Sequence, residues 1–187
     1  MRLFVALQPP LSLHADMAKA LDDLQRVKHK GVSWVAMENL HLTVNFIGEV
    51  AEHRVDALKN LIAAQASKLK AIRLKAEGIT LFPSKYPRLI WVQLLSDEKD
   101  LYLLHRQLLS SMRQLGIDAD AKKLKLHVTL GRIKAQQSPE FERSVLAYDF
   151  PSEELYWDTL ILYRSTLRPE GPRYDIIEQY NLKYTEV

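Results

Sequence analysis

The stretch LHLTVNFIG, residues 40–48, alternates apolar and polar side chains along most of its length. Because successive side chains of a strand point to opposite faces, this alternation predicts a strand with one face in a core. The other face carries His41, Thr43 and Asn45, so an imidazole and a hydroxyl lie side by side there. The predicted core face consists of four apolar residues: Leu40, Leu42, Val44 and Phe46.

A second stretch, LKLHVTLGR at residues 124–132, repeats this pattern about half a chain later. Its apolar residues alternate with Lys125, His127 and Thr129. The composition of the chain gives roughly 0.2 His-x-Thr pairs by chance, so two copies in alternating strands indicate an internal duplication. We therefore predict two lobes that each present one such strand to a shared cleft.

The two motifs taken alone leave several interpretations open. They could lie on unrelated surface strands, because Thr is common in strands. They could hold a metal, although neither motif contains Asp or Glu and Thr is a poor zinc ligand. Two imidazoles around one point instead favour paired acid–base chemistry near neutral pH, where His titrates. Hydroxyls and a cation beside them suit a bound phosphate.

The rest of the chain predicts an α+β fold. Several strands adjoin through short loops, which favours two lobes of antiparallel or mixed sheet with helices outside and a central cleft. No change of composition marks a linker, so we expect a single two-lobed domain over residues 1–187. Helices are predicted over 13–27 with Ser12 as N-cap, over 55–69, and from about Ser96 to Gly116. The remaining segments are strands at 2–7, 72–82, 88–95 and 159–165, and a polar loop at 134–144.

Composition narrows the classes of function. The chain has no Cys, which excludes disulfides, thiolate zinc sites and Cys nucleophiles. Its net charge of +3 permits a polyanionic partner without requiring one. The opening MRLFVALQPP is too short for a secretory signal, and no later stretch approaches a membrane span. We expect a cytoplasmic protein that does not bind membranes and, since no interface pattern is evident, a monomer.

Together, HLTVNFIG and HVTLGR resemble the two-histidine phosphoesterase superfamily, and within it the RNA 2′,3′-cyclic phosphodiesterases, also called 2′-5′ RNA ligases. The stretches RLFVAL, RLIWVQL and GPRYDII are similar to other strands of that family, so the resemblance covers most of the chain. It implies a bilobal fold with a pseudo-two-fold axis. It also implies hydrolysis of RNA or nucleotide 2′,3′-cyclic phosphate ends to 2′-phosphates without metal or cofactor. Some members reversibly join RNA through a 2′-5′ linkage.

The resemblance also implies roles for the motif residues. His41 and His127 become the catalytic pair, and Thr43 and Thr129 bind the phosphate. If the 2′-phosphate is the product, O3′ is the leaving oxygen. We then expect His41 to be the general acid that protonates O3′ and His127 to be the general base that activates water.

Arg132 is the expected cation for the charge that develops in the transition state. Strict alternation, however, places Arg132 on the apolar face with Leu130. To reach a phosphate, the strand must end or twist at Gly131, which a glycine permits. Leu126 stands where many members of the family have Pro before the second His, and this change should not affect the chemistry.

Other residues have weaker indications. Phe4, Trp34 and Trp91 could stack on a base, although core packing is the simpler interpretation for Trp91. Lys125 shares a face with His127 and could contact an RNA backbone. Two other functions remain open: a phosphodiesterase acting on 2′-5′ oligonucleotides or small cyclic nucleotides, and an RNA-binding module without turnover. The second would not need two proton-transfer groups.

Overall fold

The computed structural model describes residues 1–97, 99–169 and 171–184, and helices lie between some of the strands while other strands follow one another directly. The strands of the described residues are β1 Arg2–Leu7, β2 Val32–Trp34, β3 Leu42–Glu49, β4 Ile72–Phe82, β5 Leu89–Leu95, β6 His127–Ile133, β7 Glu154–Trp157, β8 Thr159–Arg168 and β9 Gly171–Asn181. The helices are α1 Leu11–Arg26, α2 Val55–Ala66, α3 Asp100–Gln114 and α4 Pro139–Leu146, with short 3₁₀ turns at Met37–Asn39 and Glu52–Arg54.

The strands form two sheets in which every named pair is antiparallel. The first sheet has the order β3-β1-β8-β9, and the second has the order β2-β6-β5-β4-β7. Each motif strand, β3 or β6, is followed in its sheet by three further strands, and β2 extends the second sheet beyond β6. The predicted α+β architecture with two equivalent halves is therefore confirmed.

The two motif strands come close together, with Cα atoms of β3 and β6 within 8 Å of each other. A continuous apolar core joins both sheets to the helices. The apolar residues predicted at helical spacing in the first helix form its buried face. The buried residues of α1 are Leu13, Met17, Ala20, Leu21 and Leu24. Helix α2 packs against α3, and α4 packs against β4. The core thus packs against the apolar face of each motif strand and fixes its position.

Helix boundaries differ from the predictions in physically understandable ways. Helix α1 begins at Leu11 directly after an extended Pro10, so the predicted Ser12 N-cap is wrong. Helix α3 begins at Asp100 rather than near Ser96, whose hydroxyl instead donates to the Arg73 carbonyl of β4 at 2.9 Å. Its C-terminal end is as predicted, because Gly116 follows the helix with a φ of 66°, a conformation that favours glycine.

The polar segment 134–144 is not a loop throughout, because α4 begins within it. Ser138 is the N-cap, and its Oγ accepts a hydrogen bond from the Phe141 amide at 3.2 Å. Pro139 occupies the first helical position, where its missing N–H costs nothing. Buried Phe141 and Val145 supply the apolar face. The short edge strand β7 was likewise not predicted, because four residues give too little alternation to recognise.

Strand β3 does not alternate to its end. Its pairing with β1 shifts register after Thr43, where Thr43 lies opposite Ala6 and Asn45 lies opposite Val5. This β-bulge turns Asn45 inward, with 1% of its surface exposed, and turns Phe46 outward, with 53% exposed. The prediction that Phe46 packs on the core face is therefore wrong. Buried His105 of α3 fixes the bulge, since its Nδ1 donates to the Val44 carbonyl at 2.8 Å.

Candidate active site

A cleft of about 1530 Å³ lies between the two halves of the molecule. All five site residues expected from the sequence line it: His41, Thr43, His127, Thr129 and Arg132. Strands β3 and β6 supply four of these side chains, and His41 immediately precedes β3. Side chains from motifs half a chain apart therefore meet at one place.

Arg132 reaches the cleft through a bulge in β6. The register with β5 shifts between Thr129, opposite Trp91, and Gly131, opposite Ile90. Leu130 and Gly131 are consequently both buried, and Arg132 returns to the face of His127 and Thr129. The twist that the sequence required at Gly131 is this bulge.

Gly131 is needed there because another strand packs closely against it. A Cβ on Gly131 would lie 3.1 Å from Cε3 of Trp34 and 3.2 Å from Cγ1 of Val32, both on β2. These distances are tighter than ordinary van der Waals contacts. Glycine thus lets β2 approach β6, and the packing of β2 holds the bulge that aims Arg132.

Backbone carbonyls orient both imidazoles in the same way. Nδ1 of His41 lies 2.6 Å from the Asn39 carbonyl, and Nδ1 of His127 lies 2.9 Å from the Lys125 carbonyl. Because a carbonyl only accepts, each Nδ1 carries the hydrogen. In the neutral form each Nε2 is therefore the unprotonated nitrogen, ready to accept a proton.

The two Nε2 atoms differ in their contacts. Nε2 of His41 lies 3.0 Å from Oγ1 of Thr43, and the hydroxyl donates to the neutral ring. Among the described residues, no side chain or backbone group forms a hydrogen bond to Nε2 of His127. His127 thus has a free basic nitrogen, whereas His41 shares its nitrogen with the neighbouring threonine.

Aromatic rings pack against both imidazoles. The His41 ring lies 5.0 Å from Phe4 and 5.4 Å from Tyr174 between centroids. The His127 ring lies 4.2 Å from Trp91, which in turn stacks on Phe82 at 4.2 Å. These contacts restrict rotation of the imidazoles and remove water from one face of each ring.

Burial and neighbouring cations lower the pKa of both histidines. The pKa of His41 is lowered to about 4, mainly by burial and also by the charges of His127 and Arg132, against the raising effect of the hydrogen bond to the Asn39 carbonyl. Burial is also the main cause that lowers the pKa of His127, with Lys125 and Arg132 adding to it. Both rings are therefore neutral near pH 7 in the unliganded protein. A bound phosphate would raise both pKa values, because an anion stabilises the imidazolium.

The wall of the cleft is predominantly cationic. Two of its three acidic side chains are already paired, Asp120 with Lys122 at 2.9 Å and Asp175 with Arg173 at 2.8 Å. The acidic residues of the wall are Glu38, Asp120 and Asp175. The cationic residues are Lys122, Lys123, Lys125, Arg132, Lys134, Arg168 and Arg173. This excess of positive charge attracts anionic ligands.

Most of the aromatic residues expected to stack on a base are buried or already packed against other side chains. Phe4 and Trp91 are only 3% and 7% exposed. Trp34 is half-buried on the cleft wall, and its Nε1 donates to Nε2 of His29 at 3.1 Å. Lys125 lines the cleft, with Nζ 3.9 Å from the centroid of the Phe82 ring. Phe46 also lines the cleft, and alternation alone missed it because a bulge leaves no local sequence signal.

Two further searches cover only the residues that the structure describes. No group of three or more His, Cys, Asp or Glu side chains in this part of the chain is arranged to hold a metal ion. None of the helices in the same residues has the length and apolar character needed to cross a bilayer.

Comparison with known proteins places the chain among phosphoesterases. The family model described as LigT like Phosphoesterase matches residues 8–91. A protein of Methanocaldococcus jannaschii named RNA 2′,3′-cyclic phosphodiesterase is 31% identical, covering 96% of this chain and all of the relative. A protein of the same name from Archaeoglobus fulgidus is 32% identical, covering 93% and 96%.

A solved structure of a protein from Thermus thermophilus has the same fold, with a TM-score of 0.80, 26% identity and complete coverage of both chains. The relatives match along nearly the whole chain, so the matched region of this chain spans both His-x-Thr strands. The chain belongs to the LigT-like phosphoesterase family.

Proposed function

We propose that the protein hydrolyses 2′,3′-cyclic phosphate ends of RNA or nucleotides to 2′-phosphates, without a metal or other cofactor. The observation that carries this proposal is the meeting of two Nδ1-anchored imidazoles, two hydroxyls and one guanidinium in a single cationic cleft. The archaeal relatives named RNA 2′,3′-cyclic phosphodiesterase support the choice of substrate. The domain is expected to be one two-lobed unit over 1–187 that works as a monomer in the cytoplasm.

The reaction needs one proton accepted and one proton donated. Nε2 of His127 takes a proton from water as the water oxygen bonds to phosphorus. The bond between phosphorus and O3′ breaks, and His41 in its imidazolium form gives its Nε2 proton to O3′. The phosphate stays on O2′, so the product is a 2′-phosphate with a free 3′-hydroxyl. Proton exchange with solvent then returns His41 to its protonated form and His127 to its neutral form.

The remaining site residues stabilise the charge on the phosphate. The hydroxyls of Thr43 and Thr129 donate to the two non-bridging oxygens, and the Arg132 guanidinium offsets the negative charge that develops. Thr43 has a second effect. Its single hydroxyl hydrogen can serve either Nε2 of His41 or a phosphate oxygen, so binding of the phosphate frees Nε2 to carry its own proton.

The protonated state of His41 depends on the substrate. With a pKa of about 4, His41 is neutral in the unliganded protein at pH 7. A phosphate anion in contact with the ring raises that pKa, because it supplies a negative charge beside the imidazolium.

The test is incubation with nucleoside 2′,3′-cyclic phosphates in EDTA, with identification of the product isomer. We expect the 2′-phosphate from the wild type and almost none from His41→Ala or His127→Ala. The control is His53→Ala, because His53 is exposed and lies outside the cleft. Loss of activity in EDTA would contradict the metal-free reaction, and release of the 3′-phosphate would contradict the assignment of O3′ as leaving group.

The same assay separates the other functions. Cleavage of 2′-5′ linked oligonucleotides alone would indicate a different phosphodiesterase, and RNA binding with no product would indicate a binding module. Sealing of RNA ends through a 2′-5′ linkage would show that the reverse type of reaction also occurs.

A further inference from the structure

The two motif strands share a feature that their sequences do not reveal. In both β3 and β6 the register with the neighbouring strand shifts directly after the His-x-Thr threonine. As a result, the third residue after each threonine returns to the cleft face. In β6 this residue is Arg132, and in β3 it is Phe46. The duplicated scaffold therefore aims a cation into the cleft from one half and a phenyl ring from the other.

The surroundings of Phe46 suit a nucleotide rather than another protein side chain. The Phe46 carbonyl accepts a hydrogen bond from the Asp120 amide at 2.9 Å, so the segment 120–125 runs beside it. Lys122 and Lys123 of this segment are exposed and also line the cleft. An exposed aromatic ring next to cations is the combination that holds a base and the phosphates attached to it.

Phe46 also differs from the other rings of the cleft in its availability. It is 53% exposed, whereas the rings of Phe4 and Trp91 are buried. Trp34, Phe82 and Tyr174 are half-buried. The Trp34 indole N–H is hydrogen-bonded, Phe82 stacks on Trp91, and Tyr174 packs edge-on against Phe4. Phe46 lies 6.1 Å from Phe4, which packs against His41 at 5.0 Å. One buried ring thus separates the exposed ring from the proposed acid.

We propose that Phe46 is the platform on which the base of the bound nucleotide stacks. This inference rests on the proposed function, because it assumes that the sugar and cyclic phosphate of the same nucleotide lie at His41 and His127. Every base has a π-face, so Phe46 selects for the presence of a base more than for its identity. The structure assigns the ring to substrate affinity and the histidines to turnover.

The first test compares Phe46→Ala on two substrates, a nucleoside 2′,3′-cyclic phosphate and 1-O-methylribose 2′,3′-cyclic phosphate, which lacks a base. We expect the KM for the nucleoside substrate to rise about tenfold, within the range for loss of one stacked base. The KM for the abasic substrate and kcat for both should change less than about twofold. Phe46→Trp should restore the KM, and Phe46→Leu should not, since leucine has no π-face.

The matched control is Tyr156→Ala on β7, because Tyr156 is also 53% exposed but lies outside the cleft. It should leave both KM values unchanged. An equal loss on both substrates in Phe46→Ala, or full rescue by Phe46→Leu, would overturn the assignment, since either result indicates packing rather than stacking.

A second readout does not depend on turnover. The fluorescence of 2-aminopurine riboside 2′-phosphate should fall when it binds to the wild type or to His41→Ala. When Phe46→Ala is added instead, the fluorescence should change little. If cyclic phosphates are not hydrolysed but quenching depends on Phe46, the proposed function fails and the platform stands. If the protein hydrolyses cyclic phosphates but quenching is the same in Phe46→Ala, the platform fails alone.

Discussion

The strands β3 and β6 carry the same motif in different surroundings. In both, a carbonyl two residues before the histidine holds Nδ1, and a bulge follows the threonine. Around His41 the neighbours are mainly aromatic: Phe4 and Tyr174 pack against its ring, and the exposed Phe46 packs against Phe4 on the far side. Around His127 they include the cations Lys125 and Arg132.

This difference separates what the duplication preserves from what it allows to vary. The imidazole geometry is kept, because in the proposed reaction each ring uses Nε2 to transfer a proton beside the same phosphate. The position after the bulge varies, and under our proposals Arg132 in one half stabilises charge while Phe46 in the other half contacts the uncharged base. An approximately symmetric scaffold can thus bind an asymmetric substrate and give two identical side chains opposite tasks.

The largest expected effects are those of the histidines themselves. His41→Ala and His127→Ala should each lower kcat by about 10³-fold, within the range for loss of general acid–base catalysis. A substrate in which sulfur replaces O3′ sharpens the comparison, because a thiolate leaves without being protonated. With this substrate the defect of His41→Ala should shrink to about tenfold or less, whereas that of His127→Ala should persist. Rates measured in a single-turnover assay would reveal the opposite assignment if His127→Ala were the rescued variant.

Much of this comparison could be anticipated from the sequence. Alternation located the motif strands, and strand β4 has the predicted bounds, 72–82. The residues proposed from the two motifs all line one cleft. These predictions succeeded because period-two patterning and the spacing of α1 are local properties, read directly along the chain.

The bulges could not be anticipated, because contacts distant in sequence determine them. His105 of α3 bonds the Val44 carbonyl in one half, and Trp34 of β2 packs against Gly131 in the other. Alternation therefore placed both Phe46 and Arg132 on the core face, although both line the cleft. Helix α4 was missed for a different reason. The polar residues around its Ser-Pro start favoured the prediction of a loop.

The next largest effect concerns the cation after the second bulge. Arg132→Met should lower kcat/KM by about 10²-fold, because it removes the charge that stabilises the transition state. Arg132→Lys should recover only part of this, since an ammonium cannot make the paired hydrogen bonds of a guanidinium. The measurement is steady-state kinetics on a nucleoside 2′,3′-cyclic phosphate. Equal activity of Arg132→Met and wild type would mean that the two halves do not divide charge and base contacts as proposed.

The stability of the protein should respond to pH through His41. Its pKa is about 4 in the folded protein and 6.5 for an ordinary histidine, so between these values the unfolded chain binds a proton that the folded protein does not. The free energy of unfolding should therefore fall as pH decreases from about 6.5 to 4, by up to about 3 kcal/mol from this group. This contribution is fully present above pH 6.5. Urea unfolding at several pH values should show a flatter dependence in His41→Gln, and parallel curves for the two proteins would contradict the low pKa.

The smallest expected effect tests whether the two threonines differ as their contacts do. The Thr43 hydroxyl donates to Nε2 of neutral His41 at 3.0 Å, and a hydrogen bond to the neutral form opposes protonation. Thr43→Val should therefore raise the pKa of His41, by about 0.7 units for a bond worth about 1 kcal/mol. Thr129→Val should leave the pKa of His127 unchanged, because within the residues that the structure describes Thr129 forms no hydrogen bond with the His127 ring. Imidazole titration by NMR measures both. Equal shifts in the two variants would mean that the threonines affect their histidines alike, and that only the aromatic and cationic neighbours distinguish the halves.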